Sequence, residues 1–317
     1  MQFFIGLKIS KEQYIDAILY IEKSYNLSNK GSILINLIDI ANSVKMDDLV
    51  KNYLNLYEKN HGNTLPIQYL KLDLAIEDNQ YFYALKLIKE LINSGEVGID
   101  VMEKLILVSN ELNEINHAED IIKYQYSKDL QNIMFPILLG EINLLKNNQE
   151  EALGWYLKSL NLDKTNVNIR HIIGNLSESL FKYELSDSIF TKIIEDDSTD
   201  ASGLNNYAYS LCERPNPNLE FALELSQKAI KLEPENAAFL DTIGWIYYRL
   251  GSYDLALNYI FKSAKLDQKS EIILNHLAEV YLKLNNINEA LNIYLEILDL
   301  NPKNQIALEK LKELSHE

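Results

Sequence analysis

A single cysteine, Cys212, rules out any disulfide within the chain. Six prolines and eleven glycines in 317 residues are half or less of the usual share. So few turn formers exclude a β-sandwich, a Gly-rich phosphate loop and a disordered linker. No run approaches the roughly 18 apolar residues of a membrane-spanning helix. The opening stretch MQFFIGLKIS lacks a basic n-region and a small-residue cleavage site, so it does not read as a signal peptide. Basic charge is scarce too: 30 basic against 46 acidic residues leave a net charge of −16. Such a surface repels nucleic acid and anionic lipid. It favours basic or neutral partners, or serves solubility alone. With 47% apolar residues, the chain still has ample material for a core.

What is present is a repeat. Small residues recur at Ala84, Ala118, Ala152, Ser186, Ala222, Ala256 and Ala290, in steps of 34, 34, 34, 36, 34 and 34. A second ladder, Gly140, Gly174, Ala208, Gly244 and Ala278, keeps the frame. A third carries bulky residues at Leu54, Ile88, Ile122, Tyr156, Phe190, Ile260 and Tyr294, with Ser226 the exception. Three ladders in one frame define a unit of two amphipathic helices. In 271–304 the first helix carries Leu274, Leu277, Ala278 and Tyr281, the i, i+3, i+4, i+7 spacing of one buried stripe. The second carries Ala290, Leu291, Tyr294, Ile297 and Leu298 on the same logic. Small residues at Ala278 and Ala290 let the two backbones approach closely. Such a unit cannot bury its apolar face alone, so units must stack. The prolines respect the frame. Pro66 and Pro136 fall near first-helix starts, where a missing N–H costs little. Pro234 and Pro302 fall at junctions, and Pro215 and Pro217 lie where one unit gains two residues.

The stretch AAFLDTIGWIYYRLGSYDLALNYIFKSAKLD carries Leu240, Ile243, Gly244, Tyr247, Gly251, Tyr253, Ala256 and Ile260. It resembles the tetratricopeptide-repeat (TPR) family, with Leu240 where that family commonly has tryptophan. The resemblance implies an all-α fold, a right-handed superhelical solenoid of helix-turn-helix repeats with a C-terminal capping helix. The expected repeats are 1–30 (incomplete), 31–64, 65–98, 99–132, 133–166, 167–200, 201–236, 237–270 and 271–304, with a cap at 305–317, in one solenoid. The pattern is fullest after 133. Before it, Ile38, Leu72 and Ile106 replace the small residue and should hold paired helices apart. The cap is expected to bury Leu308, Leu311 and Leu314. The pair LNNYAYSL and LDTIGWIYYRLG is similar to bacterial TPR adaptor proteins of the cell envelope. That likeness implies a bacterial, soluble protein of the periplasm or envelope, with the cytoplasm as alternative.

Signs of chemistry are missing. His61, His117, His171, His276 and His316 show no metal-ligand spacing. Gly95-Glu96-Val97-Gly98 reads as a turn, and no G-x-S-x-G, P-loop or H-E-x-x-H occurs. Cys212 has no His near it in sequence and reads as a passive thiol beyond the core positions. Asp47-Asp48 and Asp196-Asp197 read as solvated loop carboxylates. Repeats use every segment, so the expectation is no enzymatic activity, no cofactor and no metal.

By the resemblance, the first helices line a concave groove, and positions 2, 5, 9, 12 and 13 of each unit face it. Helical spacing agrees, because i, i+4, i+7 and i+8 share a face. The candidate partner-binding residues are Asn175, Asn205, Tyr209, Asp241, Trp245, Tyr248, Arg249, Asn275 and Glu279. The core stripe around Trp245 is already filled by Leu240, Ile243, Gly244 and Tyr247, so Trp245 should point off it. Two arrangements are open for Trp245 and Tyr248: they anchor a partner chain, or they pack against the next repeat. The asparagines suit hydrogen bonding to an extended backbone. Over eight complete units the five positions hold eleven carboxylates: Asp39, Asp73, Glu77, Asp100, Glu103, Glu111, Glu141, Glu178, Glu213, Asp241 and Glu279. Only Arg249 and Lys283 oppose them. Positions 5 and 9 contain neither Lys nor Arg, which departs from the TPR branch that clamps C-terminal carboxylates. The expected partner is a basic or neutral polypeptide segment, with no nucleic acid and no membrane insertion. The expected function is a protein-interaction scaffold or adaptor; the alternative is the TPR arm of a larger enzyme or secretion complex.

Overall fold

The computed structural model describes residues 11–314, with side chains from Tyr14. The stretch MQFFIGLKIS and His316 lie outside the described residues. Eighteen α-helices and no strand occur among the described residues. After α1 (Lys11–Ser28) come eight consecutive pairs. They are α2 (Gly31–Ser43) with α3 (Asp47–His61), α4 (Leu65–Glu77) with α5 (Tyr81–Asn93), and α6 (Ile99–Glu111) with α7 (Ile115–Lys128). Next come α8 (Met134–Leu145) with α9 (Gln149–Leu162) and α10 (Val167–Ser179) with α11 (Tyr183–Asp196). Then follow α12 (Ala201–Glu213) with α13 (Leu219–Leu232), α14 (Ala237–Arg249) with α15 (Tyr253–Leu266), and α16 (Glu271–Lys283) with α17 (Ile287–Leu300). The series closes with α18 (Gln305–Leu314). First members of pairs are called A-helices below, second members B-helices. The chain divides into two compact units, unit 1 (Met1–Ile142) and unit 2 (Asn143–Glu317).

The repeat frame is visible in the backbone. Seven of the eight A-to-B turns put one residue in the left-handed region: Lys45, Asn79, Asn113, Asn147, Phe181, Gly251 and Asn285, at φ of 56–78°. Asn and Gly tolerate this region best. Pro215 stands at that register between α12 and α13, and its ring fixes φ near −65°. There the chain takes the longer RPNPN connection instead. The last residue of a unit caps the next A-helix in unit 2. The side chains of Asn166, Asp200, Asn236, Ser270 and Asn304 accept the backbone N–H groups of Ile169, Gly203, Phe239, Ile273 and Ala307. Each such cap contributes about 1 kcal/mol. Asparagine serves four of these turns and three of these caps.

Packing follows the ladders. A Cβ on Gly174 would lie 2.8 Å from Phe190, and one on Gly244 would lie 2.5 Å from Ile260. The small residue of an A-helix therefore admits the bulky residue of its B-helix. Ala256, Ala278 and Ala290 are fully buried with Tyr294 in the same cluster. In unit 1 the bulkier Ile38, Leu72 and Ile106 occupy the small-residue register, all buried. There α4–α5 and α6–α7 approach each other less closely than α12–α13 and α14–α15.

Four expectations change. Cys212 is not beyond the core; it is fully buried in a cluster with Phe190, Leu211 and Ile246. Asp47 and Asp48 open α3 rather than sit in a loop, where the positive end of the helix dipole favours them. Asp196 ends α11 and pairs with Arg170 at 2.6 Å. The cap α18 buries Ala307 and packs Leu311 and Leu314, while Leu308 is exposed. The inward stripe starts one residue earlier than expected, at i, i+4, i+7 from Ala307.

Candidate functional site: the A-helix faces

In unit 2, Asp241, Trp245, Tyr248, Arg249 and Glu279 are engaged within the chain. Trp245 is half-buried and packs against the next repeat. Its ring stacks between Tyr248 (centroids 4.4 Å, planes 6° apart) and His276 on α16 (3.9 Å, 14°). Its indole N–H donates to Glu213 Oε1 at 2.7 Å, and Arg249 donates to the same oxygen at 3.1 Å. The Nδ1–H of His276 donates to Asp241, 2.9 Å from Oδ2. Asp241 is itself buried. Glu279 accepts from the Tyr294 hydroxyl at 3.1 Å and from Lys310 at 3.3 Å. Glu178 meets Arg214 at 2.9 Å and accepts from the Ser210 hydroxyl at 2.5 Å.

A rule emerges from these pairs. A carboxylate on one A-helix reaches a base about one unit later: Glu178 to Arg214, Glu213 to Arg249, Asp241 to His276, Glu279 to Lys310. Successive A-helices lie side by side, so residues 31–36 apart meet. The single-sign wall expected from counting groove positions is therefore neutralised from within in unit 2. Counting missed Arg214, His276 and Lys310 because they stand outside the five positions. The 36-residue spacing of Glu178–Arg214 and Glu213–Arg249 was the available signal.

The other candidates divide. Asn175 is exposed, whereas Asn205 is buried. The Oδ1 atoms of Asn205 and Asn275 are buried without a hydrogen-bond partner among the described residues. Burial, with Glu213 and Asp241 nearby, pushes the Tyr209 hydroxyl up to about 12. Burial also raises Tyr248, with Glu279 adding to the shift. Burial pushes the Cys212 thiol up to about 12, which keeps it protonated and unreactive. Among the described residues, no group of three His, Cys, Asp or Glu side chains could hold a metal ion. No described helix is long and apolar enough to cross a membrane.

Unit 1 is different. Asp39, Asp73, Glu77, Asp100, Glu103, Glu111 and Glu141 come from α2, α4, α6 and α8. Lys104 alone bridges Asp73 (2.7 Å) and Asp100 (2.9 Å). Glu77 accepts only an amide N–H, from Asn42 at 2.7 Å. Asp39, Glu103 and Glu141 pair with no lysine or arginine among the described residues. Asp39 is exposed to solvent, but partial desolvation of its carboxyl raises it, and the charges of Asp73 and Glu77 raise it further. Glu141 is likewise exposed, and partial desolvation raises it, with Glu103 adding repulsion. Leu107 stands at groove position 9 in this unit and is exposed.

Comparison with known proteins gives the same architecture. Residues 200–297 match the family model for subunit 3 of the anaphase-promoting complex, or cyclosome. A TPR repeat-containing protein of Pseudomonas aeruginosa is 29% identical over 126 residues, which is 39% of this chain and 21% of that protein. The chain thus matches about a fifth of that relative's length. A solved tetratricopeptide repeat protein from Parabacteroides merdae superposes with a TM-score of 0.64 at 15% identity, over 79% of this chain and 98% of that one. The structure of the anaphase-promoting-complex hetero-tetramer Cut9–Hcn1 gives a TM-score of 0.57 at 18% identity, over 97% of this chain and 60% of that one. The fold is that of a TPR solenoid.

Proposed function

We propose that the protein is a non-enzymatic interaction scaffold, and that the A-helix face of unit 1 captures a Lys- or Arg-bearing polypeptide segment. One observation carries this reading: of seven carboxylates on α2, α4, α6 and α8, only Asp73 and Asp100 have a lysine, Lys104, while their counterparts in unit 2 are matched. A one-sign surface with partly desolvated charges concentrates its field and speeds encounter with the opposite sign. Desolvation and then like-charge repulsion raise Asp39 and Glu141, and an arriving cation relieves the repulsive part. The charges govern on-rate and orientation, and exposed Leu107 offers an apolar contact among them.

The test is a titration of the whole chain with a synthetic Lys-Leu peptide and its Glu-Leu counterpart, at low and high salt. The triple variant Asp39→Asn, Glu103→Gln, Glu141→Gln should weaken the basic peptide about tenfold, mostly through association rate. Equal affinity for wild type and triple variant, or an on-rate indifferent to salt, would sink the reading.

A second reading, an arm within a larger assembly, draws support from the match of residues 200–297 to a family named for a complex subunit. Sequencing the whole gene tests it, since a catalytic domain joined to this chain would favour it. The envelope placement implied by the bacterial resemblance is likewise a proposal, tested by cell fractionation.

A further inference from the structure

Phe181 occupies the left-handed turn register at φ 58°, where five sister turns hold Asn79, Asn113, Asn147, Asn285 and Gly251 and one holds Lys45. A bulky side chain is disfavoured there, because its Cβ crowds the backbone. The ring is 76% exposed, so burial does not offset the strain. It has one ring neighbour among the described residues. Tyr183 meets it edge-on with centroids 6.2 Å apart. The Arg214 guanidinium lies 4.8 Å over the Tyr183 ring. Glu178 and Asp187 in turn fix Arg214 at 2.9 and 2.8 Å. The aromatic is therefore braced from behind and open in front. Leu180, next to it in the chain, lines an open cleft of about 440 Å³ with Asn147, Asn148, Glu150 and Glu151.

We infer that Phe181 and the Leu180 cleft form a second docking site, for an apolar side chain of a partner protein flanked by Lys or Arg. An exposed aromatic has only two side-chain torsions to lose when covered, which suits an interface anchor. Charge complementarity selects the partner. Glu150, Glu151 and Glu184 are exposed around the site, and the nearby Lys182 is already bound to Glu150 at 3.1 Å. The site lies on a turn edge of unit 2. It stands or falls independently of the capture proposed for unit 1.

The test uses the whole chain and the Lys-Leu peptide with a benzoylphenylalanine replacing one leucine. Photo-crosslinks should map to residues 147–151 or 180–184. Phe181→Asn, which installs the residue of four sister turns, should weaken the peptide at least tenfold at this site. It should also leave the melting temperature unchanged or raised, since backbone strain is relieved. Phe181→Tyr keeps the ring and should retain crosslinking. Crosslinks confined to other residues, or an unchanged crosslink yield in Phe181→Asn, would overturn the proposal. So would a lowered melting temperature in that variant, which would assign the ring a structural role. Equal crosslinking of the Glu-Leu peptide at these residues would overturn the partner's charge.

Discussion

The indole of Trp245 on α14 lies nearly parallel to the imidazole of His276 on α16, 3.9 Å from it. A residue with the position of a partner anchor thus serves as mortar between repeats. Trp245→Ala should cost about 2–3 kcal/mol of folding stability, less than a fully buried tryptophan. Trp245→Phe keeps stacking area but loses the N–H that Glu213 accepts, and should cost about 1 kcal/mol. Chemical denaturation of both variants checks the order. Equal stability of Trp245→Ala and wild type would refute the interlocking role.

Two glycines make opposite predictions. A Cβ on Gly244 would meet Ile260 at 2.5 Å, whereas one on Gly154 within α9 would meet nothing within 4 Å. Gly244→Ala should therefore destabilise by about 1–3 kcal/mol through overpacking. Gly154→Ala should stabilise by roughly 0.4–1 kcal/mol, because alanine restricts the unfolded chain without a clash. Melting curves of the two variants should move in opposite directions.

The unit 1 carboxylates predict a pH signature. Asp39 and Glu141 are raised in the folded state, chiefly by partial desolvation and then by like charges. Both are exposed, so solvent screens the effect and keeps it small. The native state therefore holds more protons than the unfolded state between the ordinary carboxylate value and the raised one. Stability falls as pH rises through that window, and the penalty is complete above it. Asp39→Asn and Glu141→Gln should each melt higher than wild type at neutral pH. The gap should close near about pH 3, where ordinary carboxylates are protonated too. A gain in stability paired with weaker binding of the basic peptide is the mark of a site kept for function.

Cys212 offers a probe of opening in unit 2. It is fully buried, and burial pushes its thiol up to about 12. Native protein at about pH 8 should react with a disulfide reagent roughly a thousandfold or more slower than an exposed thiol. Denaturant should restore the full rate. Rapid labelling of native protein would contradict the burial of α12.

Much of the architecture was legible in the chain, because it rests on local periodicity. A 34-residue frame, small residues at one register and bulky ones at another dictate helix pairs and their crossings, as at Gly244 and Ile260. The same frame located the turns and junctions, and it put Trp245 off its own helix's core stripe. It could not say what Trp245 would meet there. That depends on which faces of successive A-helices come together, and on bases standing at other positions, such as Lys104, Arg214, His276 and Lys310. Each carboxylate–base contact joins residues 31–36 apart, so its existence depends on the offset between neighbouring helices. A charge count by position cannot carry that offset. Sequence alone therefore determined that acidic side chains would line the A-helix faces. Tertiary packing decided which of them are neutralised within the chain, as in unit 2, and which are left facing solvent or one another, as in unit 1.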